Sequence, residues 1–350
     1  MNLLVVGGIK MKSVLVEDAV GMILYHDLTQ IVLGEFKGVA FKKGHIITEE
    51  DVPQLLDMGK RSIYVWEIQA GILHENEAGE RMARAAAGKK ILFTDPSEGK
   101  VNLLAKCNGL LKVNYTALEK INTIEEAMIA TLHTDILVKK DCVVAGTRVI
   151  PLVIDKVKIE QIEKVCKEEG PIIWVEPLKT MKVGIITTGS EVYTGRITDK
   201  FGPIVRNKIT EIGSEVIKQI LVSDSVDMIK DAVNELLEIG VEMIIVTGGM
   251  SVDPDDVTPA GIRESGANII SYGAPVLPGA MFLIAYKNDI PVLGLPGCVM
   301  YSKRTIFDLI LPRIVAGERI KKEDITRLGH GGMCLNCEVC TFPACSFGKW

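Results

Sequence analysis

From Met181 the chain alternates short, unbroken apolar runs with segments whose apolar residues recur every three to four positions. Unbroken runs mark strands buried on both faces, and the helical recurrence marks amphipathic helices. Lys182–Thr187, Glu215–Val222 and Glu242–Val246 read as strands, followed by Met281–Tyr286 and Pro291–Leu295. Pro203–Ile212 reads as a helix, with Pro203 in its first turn, Gly213 past its end and Val205, Ile209 and Ile212 facing inward. Ser225–Ile239 reads as a second helix stopped by Gly240. A short helix opens at Thr258-Pro259, and a last one spans Met300–Ala316, kinked at Pro312. This alternation predicts an α/β domain over residues 181–317: three layers, with a parallel, mixed-edge sheet between helices.

The preceding stretch, residues 1–180, has a different texture and reads as a smaller α+β accessory region, divisible at about 11–70 and 98–180. Leu15–Val32 is rich in β-branched residues. A helix follows, with Thr48 as N-cap, Asp51 in its first turn, Val52, Leu55, Leu56 and Met58 on its apolar side, and Gly59 as stop. Asn76–Ala87 and Lys158–Glu169 read as further helices, closed by Gly88 and by Gly170-Pro171. Residues 318–350 form a tail, first charged and then rich in cysteine.

Composition narrows the class. A net charge of −5 disfavours nucleic acid as a partner. No apolar run approaches the ~18 residues of a membrane span; Val143–Ile154 is interrupted by Gly146, Thr147 and Arg148. No basic segment precedes the apolar start of Met1–Lys12, so a secretory signal is not expected; the regular pattern begins at Met11. The expectation is a cytoplasmic protein that forms homo-oligomers and binds neither membrane nor nucleic acid.

Three loops fall at strand carboxyl ends: Thr188-Gly189-Ser190-Glu191, Gly248-Gly249-Met250-Ser251 and Pro296-Gly297. Ligands of parallel sheets bind at that edge. Glycines let backbone amides approach an oxyanion, and Thr188, Ser190 and Ser251 add hydroxyl donors. Each loop alone is also ordinary turn chemistry. None is a dinucleotide or Walker phosphate loop. Carboxylates share the edge: Glu191, Asp224 and Asp255-Asp256. Asp224 also suits a helix N-cap, and Asp255-Asp256 a solvated turn beside Pro254. Facing a phosphate, such carboxylates need a divalent cation between, and Mg²⁺ suits carboxylate and phosphate oxygens.

Thr187–Val192 (TTGSEV), Thr247–Pro259 (TGGMSVDPDDVTP), Gly294–Gly297 (GLPG) and Leu311–Gly317 (LPRIVAG) resemble, in order and spacing, the molybdopterin-binding domain. That domain is shared by molybdopterin molybdenumtransferases, molybdopterin adenylyltransferases and competence-damage proteins. The resemblance implies that Thr188, Gly189, Ser190, Gly248, Gly249, Ser251, Pro296 and Gly297 hold the pterin and its phosphate. It implies that Asp256, with Asp224 and Glu191, is catalytic and positions a cation, molybdate or the adenylate; Asn207 on the first helix is a further candidate ligand. An accessory region before the binding domain favours the molybdenumtransferase branch, which takes adenylylated molybdopterin and inserts molybdate with Mg²⁺. Molybdoenzymes or other cofactor-biosynthesis proteins are the implied partners.

Two departures keep other readings open. The transferase branch carries a lysine in a PGKP-like segment, where this chain has Pro278-Gly279-Ala280-Met281. It also reads GLPGNP where this chain has Gly294–Val299 (GLPGCV), with Cys298 in place of asparagine. A non-catalytic molybdopterin carrier or sensor fits these losses. Asp256–Pro259 (DVTP) is nearer the adenylyltransferase pattern.

The tail carries Cys334, Cys337, Cys340 and Cys345, preceded by His330. Four thiolates so spaced suit one Zn²⁺ or an iron–sulfur cluster, and His330 is a substitute ligand. Free thiols and oxidised disulfides are the alternatives. The other histidines (His26, His45, His74, His133) share no spacing, and Cys107, Cys142 and Cys166 read as small buried residues. Arg196, Lys200, Arg206 and Lys208 cluster after the first loop, as a solvated face or as cations steering an anion.

Overall fold

The computed structural model describes residues 5–6, 9–32, 36–67, 70–251, 253 and 255–349. Parts of the segment Met1–Lys12, and Val252 and Pro254 in the loop that begins at Gly248, lie outside them. The chain divides into two compact units.

The first unit comprises residues 1–104, 114–132 and 143–173. Its sheets are antiparallel: one orders Val5–Val6, Ile9–Leu15, Ser62–Glu67 and Ile23–Leu24, another Ala127–Thr131, Val143–Val149, Lys100–Ala105 and Ile91–Phe93. The helix Asp51–Asp57 starts later than Thr48; the Thr48 amide and hydroxyl instead both donate to the Asp51 carboxylate, at 2.8 and 2.9 Å. The helices Glu75–Ala86 and Lys156–Glu169 are joined by Arg81, whose guanidinium donates twice to Glu163.

The second unit comprises residues 105–113, 133–142 and 174–350. It therefore takes in two segments from before the sequence boundary at 181, because Gly109–Val113 and Ile136–Val138 pair as strands and build a small sheet with Ile173–Pro177. It also takes in the whole tail.

The main sheet of this unit has six strands. Their spatial order is Glu215–Val222, Lys182–Thr188, Met243–Thr247, Ile290–Leu295, Leu283–Lys287 and Asn268–Tyr272. The first four are mutually parallel; Leu283–Lys287 is antiparallel to both its neighbours, giving the mixed edge. Along the parallel strands successive side chains enter opposite layers. Val183, Ile185, Met243 and Ile245 pack with Val205, Ile209, Phe307 and Ile310 on one face. Ile186, Ile244 and Val246 pack with Ile229, Val233 and Leu236 on the other. Burying each such side chain contributes roughly 1.5–3 kcal/mol, enough to fix the strand register. Gly184 is small because a Cβ there would lie 2.7 Å from the Leu236 side chain.

Two elements differ from the sequence reading. Asn268–Tyr272 is an edge strand that periodicity does not reveal. The helix expected from Met300 is Ile306–Val315, starting six residues later, because Thr305 and Asp308 form a reciprocal cap that fixes its start; a further short helix, Lys322–Arg327, follows it. Gly297–Met300 before it is a short 3₁₀ turn.

Candidate functional site

The four parallel strands end level with one another. Thr188 pairs with Val222, Thr187 with Thr247, and Thr247 with Leu295. Register thus brings the three glycine loops out at one edge. Gly248 and Gly249 have φ of +87° and +56°, the left-handed region that glycine enters without strain. A Cβ on Gly248 would collide with the Thr188 carbonyl oxygen, and one on Gly249 would lie 2.7 Å from Thr258 Oγ1. Side chains then lock the Thr188 loop to the Gly248-Gly249 loop. The Thr188 hydroxyl donates to the Thr247 carbonyl at 3.1 Å, and the Thr258 hydroxyl donates to the Gly248 carbonyl at 2.9 Å. The two hydroxyls are 3.3 Å apart.

Thr188, Glu191, Gly248, Gly249, Ser251, Asp256, Pro296 and Gly297 all line one cavity of about 1940 Å³, open mouth included. Asp256 is held in place by the Asp253 amide, which donates to its carboxylate at 3.0 Å. Four expected residues stand off the lining. Gly189, with φ of +143°, makes the turn into the one-turn helix Ser190–Tyr193. The Ser190 amide donates to the Asp224 carboxylate at 2.8 Å. Asp224 is not the N-cap of its own helix: that role falls to Ser225, which accepts from the Met228 amide. Asn207 lines a neighbouring crevice with Lys208, Glu211, Met300 and Tyr301.

The cavity also has residues that sequence reasoning did not single out. Asp199 lines it and accepts from the Phe201 amide at 2.8 Å and from Gln219 Nε2 at 2.6 Å. Gln219 also donates to Thr187 Oγ1, so it ties the first two strands to the loop that follows. An aspartate just before a helical run is an N-cap signal, and this one was legible. Tyr272 was not: it lies on the unrecognised edge strand, and its hydroxyl donates to the Met250 carbonyl at 3.0 Å. Burial, reinforced by the charge of Asp256, pushes the Tyr272 phenol above its ordinary pKa, so it stays a donor at neutral pH. Burial likewise pushes the Cys298 thiol up, so at this lining position it is a neutral thiol, not a reactive thiolate.

Of the four clustered cations, Lys200 lines the cavity. Arg206 donates to the Val216 carbonyl and Lys208 pairs with Asp308 at 2.6 Å, so both serve the fold.

Residues 184–316 match the sequence family described as "Probable molybdopterin binding domain". Over this segment the chain is similar to that family. Residues 13–67 match a separate domain of unknown function. The molybdopterin molybdenumtransferase of Bacillus subtilis (strain 168) is 31% identical over 122 residues, 33% of this chain and 28% of that protein. A CinA-like protein of Mycobacterium sp. (strain JLS) is 35% identical over 83 residues, 24% of this chain and 20% of that protein. The matches thus span under a third of each curated relative. Among solved structures, the molybdopterin biosynthesis enzyme MoaB from Thermus thermophilus aligns with 21% identity and a TM-score of 0.32, over 41% of this chain and 100% of that one.

The segment Pro278-Gly279-Ala280-Met281 lines the same cavity. Gly279 is fixed by crowding, since a Cβ there would meet the Ile306 side chain. Ala280 is exposed and puts an uncharged side chain on the cavity wall. Among the described residues no three His, Cys, Asp or Glu side chains converge on a single-ion site. No helix of the described residues is long and apolar enough to cross a membrane.

Proposed function

We propose that the cavity binds molybdopterin, or its adenylylated form, and that the chain inserts molybdate in molybdenum-cofactor biosynthesis. The observation that carries this reading is that residues from each of the three strand-end loops, with Asp256, line one cavity. Bare amides at Gly248, Gly249 and Gly297 suit a phosphate, and Thr188 and Ser251 supply hydroxyls beside them. Glu191, Asp199 and Asp256 give the same wall hard oxygen donors. Mg²⁺ commonly takes one or two carboxylates and completes its shell with phosphate oxygens and water, so this donor set fits it without a closed protein cage. When bound, Mg²⁺ supplies charge neutralisation between phosphate and carboxylate. Asp256 is the residue assigned to catalysis, Glu191 to the cation, and Asp224 to positioning the first loop. Molybdate enters as substrate. In this reading the chain works as a homo-oligomer in the cytoplasm and passes its product to other cofactor-biosynthesis proteins or to molybdoenzymes. The four tail cysteines are a metal site.

A second reading, a non-catalytic carrier or sensor of molybdopterin, is favoured by Ala280 where the transferase branch has its cation. Anaerobic incubation with adenylylated molybdopterin, molybdate and Mg²⁺ separates the two. AMP release with metal insertion is expected of the transferase. Tight binding without turnover selects the carrier, and consumption of ATP with molybdopterin alone selects an adenylyltransferase. If none of these ligands binds, the reading is wrong.

A further inference from the structure

The tail is a folded element of the second unit. Phe347 is only 3% exposed and lies in its core, against which Cys334, Phe342 and Cys345 pack. The backbone is pinned at both ends. The Gly348 amide donates to the Gly331 carbonyl at 2.9 Å, and the approach is so close that a Cβ on Gly331 would strike the Lys349 carbonyl. Upstream, the Leu277 amide donates to Gly332 and the Cys334 amide donates back to Leu277, each at 2.8 Å.

Within this frame Cys334, Cys337, Cys340 and Cys345 all line one cavity of about 470 Å³, mouth included. None of the eight cysteines is in a disulfide. The Asn336 amide points at Cys334 Sγ from 3.4 Å, a donor toward sulfur of the kind that supports a bound thiolate. Lys303 and Arg304 line the same cavity and offset its anionic charge; Lys303 also donates to the carbonyls of Cys337 and Glu338. His330 is exposed and does not line it, which removes it as a substitute ligand.

We propose that these four cysteines hold an iron–sulfur cluster, one thiolate to each iron of a [4Fe–4S] centre. A single Zn²⁺ requires all four sulfurs within about 2.3 Å of one point. The four thiols instead wall a space, with no three of them gathered for one ion. A polynuclear cluster fills such a space and takes each thiolate at a separate metal. The spacing agrees for three of them: Cys334, Cys337 and Cys340 follow the C-x2-C-x2-C of the ferredoxin run, whose own fourth cysteine serves a second cluster, so Cys345 is assigned here by its place on the same cavity. Leu277 also lines the pterin cavity, so the backbone that pins Cys334 runs directly into the other site's wall.

The test needs no pterin, so its outcome is separate from that of the proposed function. The full chain is reconstituted anaerobically with ferric iron, sulfide and excess thiol, which reduces half of the iron, then desalted and assayed for iron, acid-labile sulfide and zinc. About four irons and four sulfides per chain are expected, with broad visible absorption that dithionite bleaches and an electron paramagnetic resonance signal in the reduced state. The Cys337→Ala/Cys340→Ala double variant is expected to lose that iron, and Cys107→Ala to keep it. One zinc per chain with no sulfide, no metal at all, or iron that survives the double variant overturns the proposal. The wild-type stoichiometry decides even if the double variant fails to fold.

Discussion

The Asp224 carboxylate accepts the Ser190 amide at 2.8 Å, and Asp224 itself stays off the cavity wall. The second strand's end thereby sets the position of the first loop. If Asp224 acts as an acceptor, Asp224→Ala weakens pterin binding by roughly 3- to 10-fold, the loss of about 1 kcal/mol or a little more in loop ordering. Asp224→Asn keeps an acceptor oxygen and restores most of that affinity. Equilibrium titration of both variants checks this. Equal damage from the two would show that the charge matters, and would place Asp224 with the catalytic groups after all.

Asp256 behaves differently, because it lines the cavity and its own position is set by the Asp253 amide. Asp256→Asn preserves that acceptor and removes the charge. Turnover is expected to fall by about 100-fold or more while the melting temperature moves little. Single-turnover AMP release and a thermal melt measure the two effects separately.

Ala280 is exposed on the cavity wall where a cation is missing. Ala280→Lys adds a charge within reach of a bound phosphate. The expected gain is about 3- to 10-fold in affinity at low salt, shrinking as ionic strength rises. A gain that ignores salt, or none at all, would mean that the phosphate lies elsewhere.

Stability of the second unit has a pH dependence that follows from Asp324. Burial pushes its carboxyl up, but the Arg313 guanidinium at 2.7 Å and the Lys321 amide prevail and hold it below the ordinary value of 3.8. A carboxyl whose folded pKa lies below its unfolded one stabilises the fold above the unfolded value, and loses that stabilisation as pH falls through the folded value. The contribution is therefore whole at pH 7, begins to fall near the ordinary value of 3.8 and is lost as pH drops through the lower folded value. Asp324→Asn is expected to cost about 2 kcal/mol at pH 7 and progressively less as pH falls below about 4, as read by urea denaturation.

Much of the second unit was legible because its core is regular. Two-face burial makes Lys182–Thr188 and Met243–Thr247 unbroken apolar runs, and glycines punctuate their ends. Asn268–Tyr272 escaped notice because an edge strand of mixed burial has no such run. The last helix was drawn too early because the apolar pattern reaches back through Val299 and Met300, while the start is set by a local cap at Thr305. The loops were found because glycine demands are written locally. Gln219 and Tyr272 are not legible, since their roles arise from contacts between distant segments, whereas the bonds of Asp199 to the Phe201 and Gly202 amides are local and its helix-start signal is legible. The tail was read as separate because nothing local announces that Phe347 enters the core.

The account rests on backbone amides at the strand ends forming a phosphate cradle. Gly249→Val tests it, because a side chain there meets Thr258 Oγ1 and is strained at a φ of +56°. Anaerobic titration with molybdopterin is expected to show one site per chain in the wild type, and an affinity loss of at least about 100-fold in a Gly249→Val protein that still melts cooperatively. Undiminished binding by that folded variant, or no binding by the wild type, would contradict it.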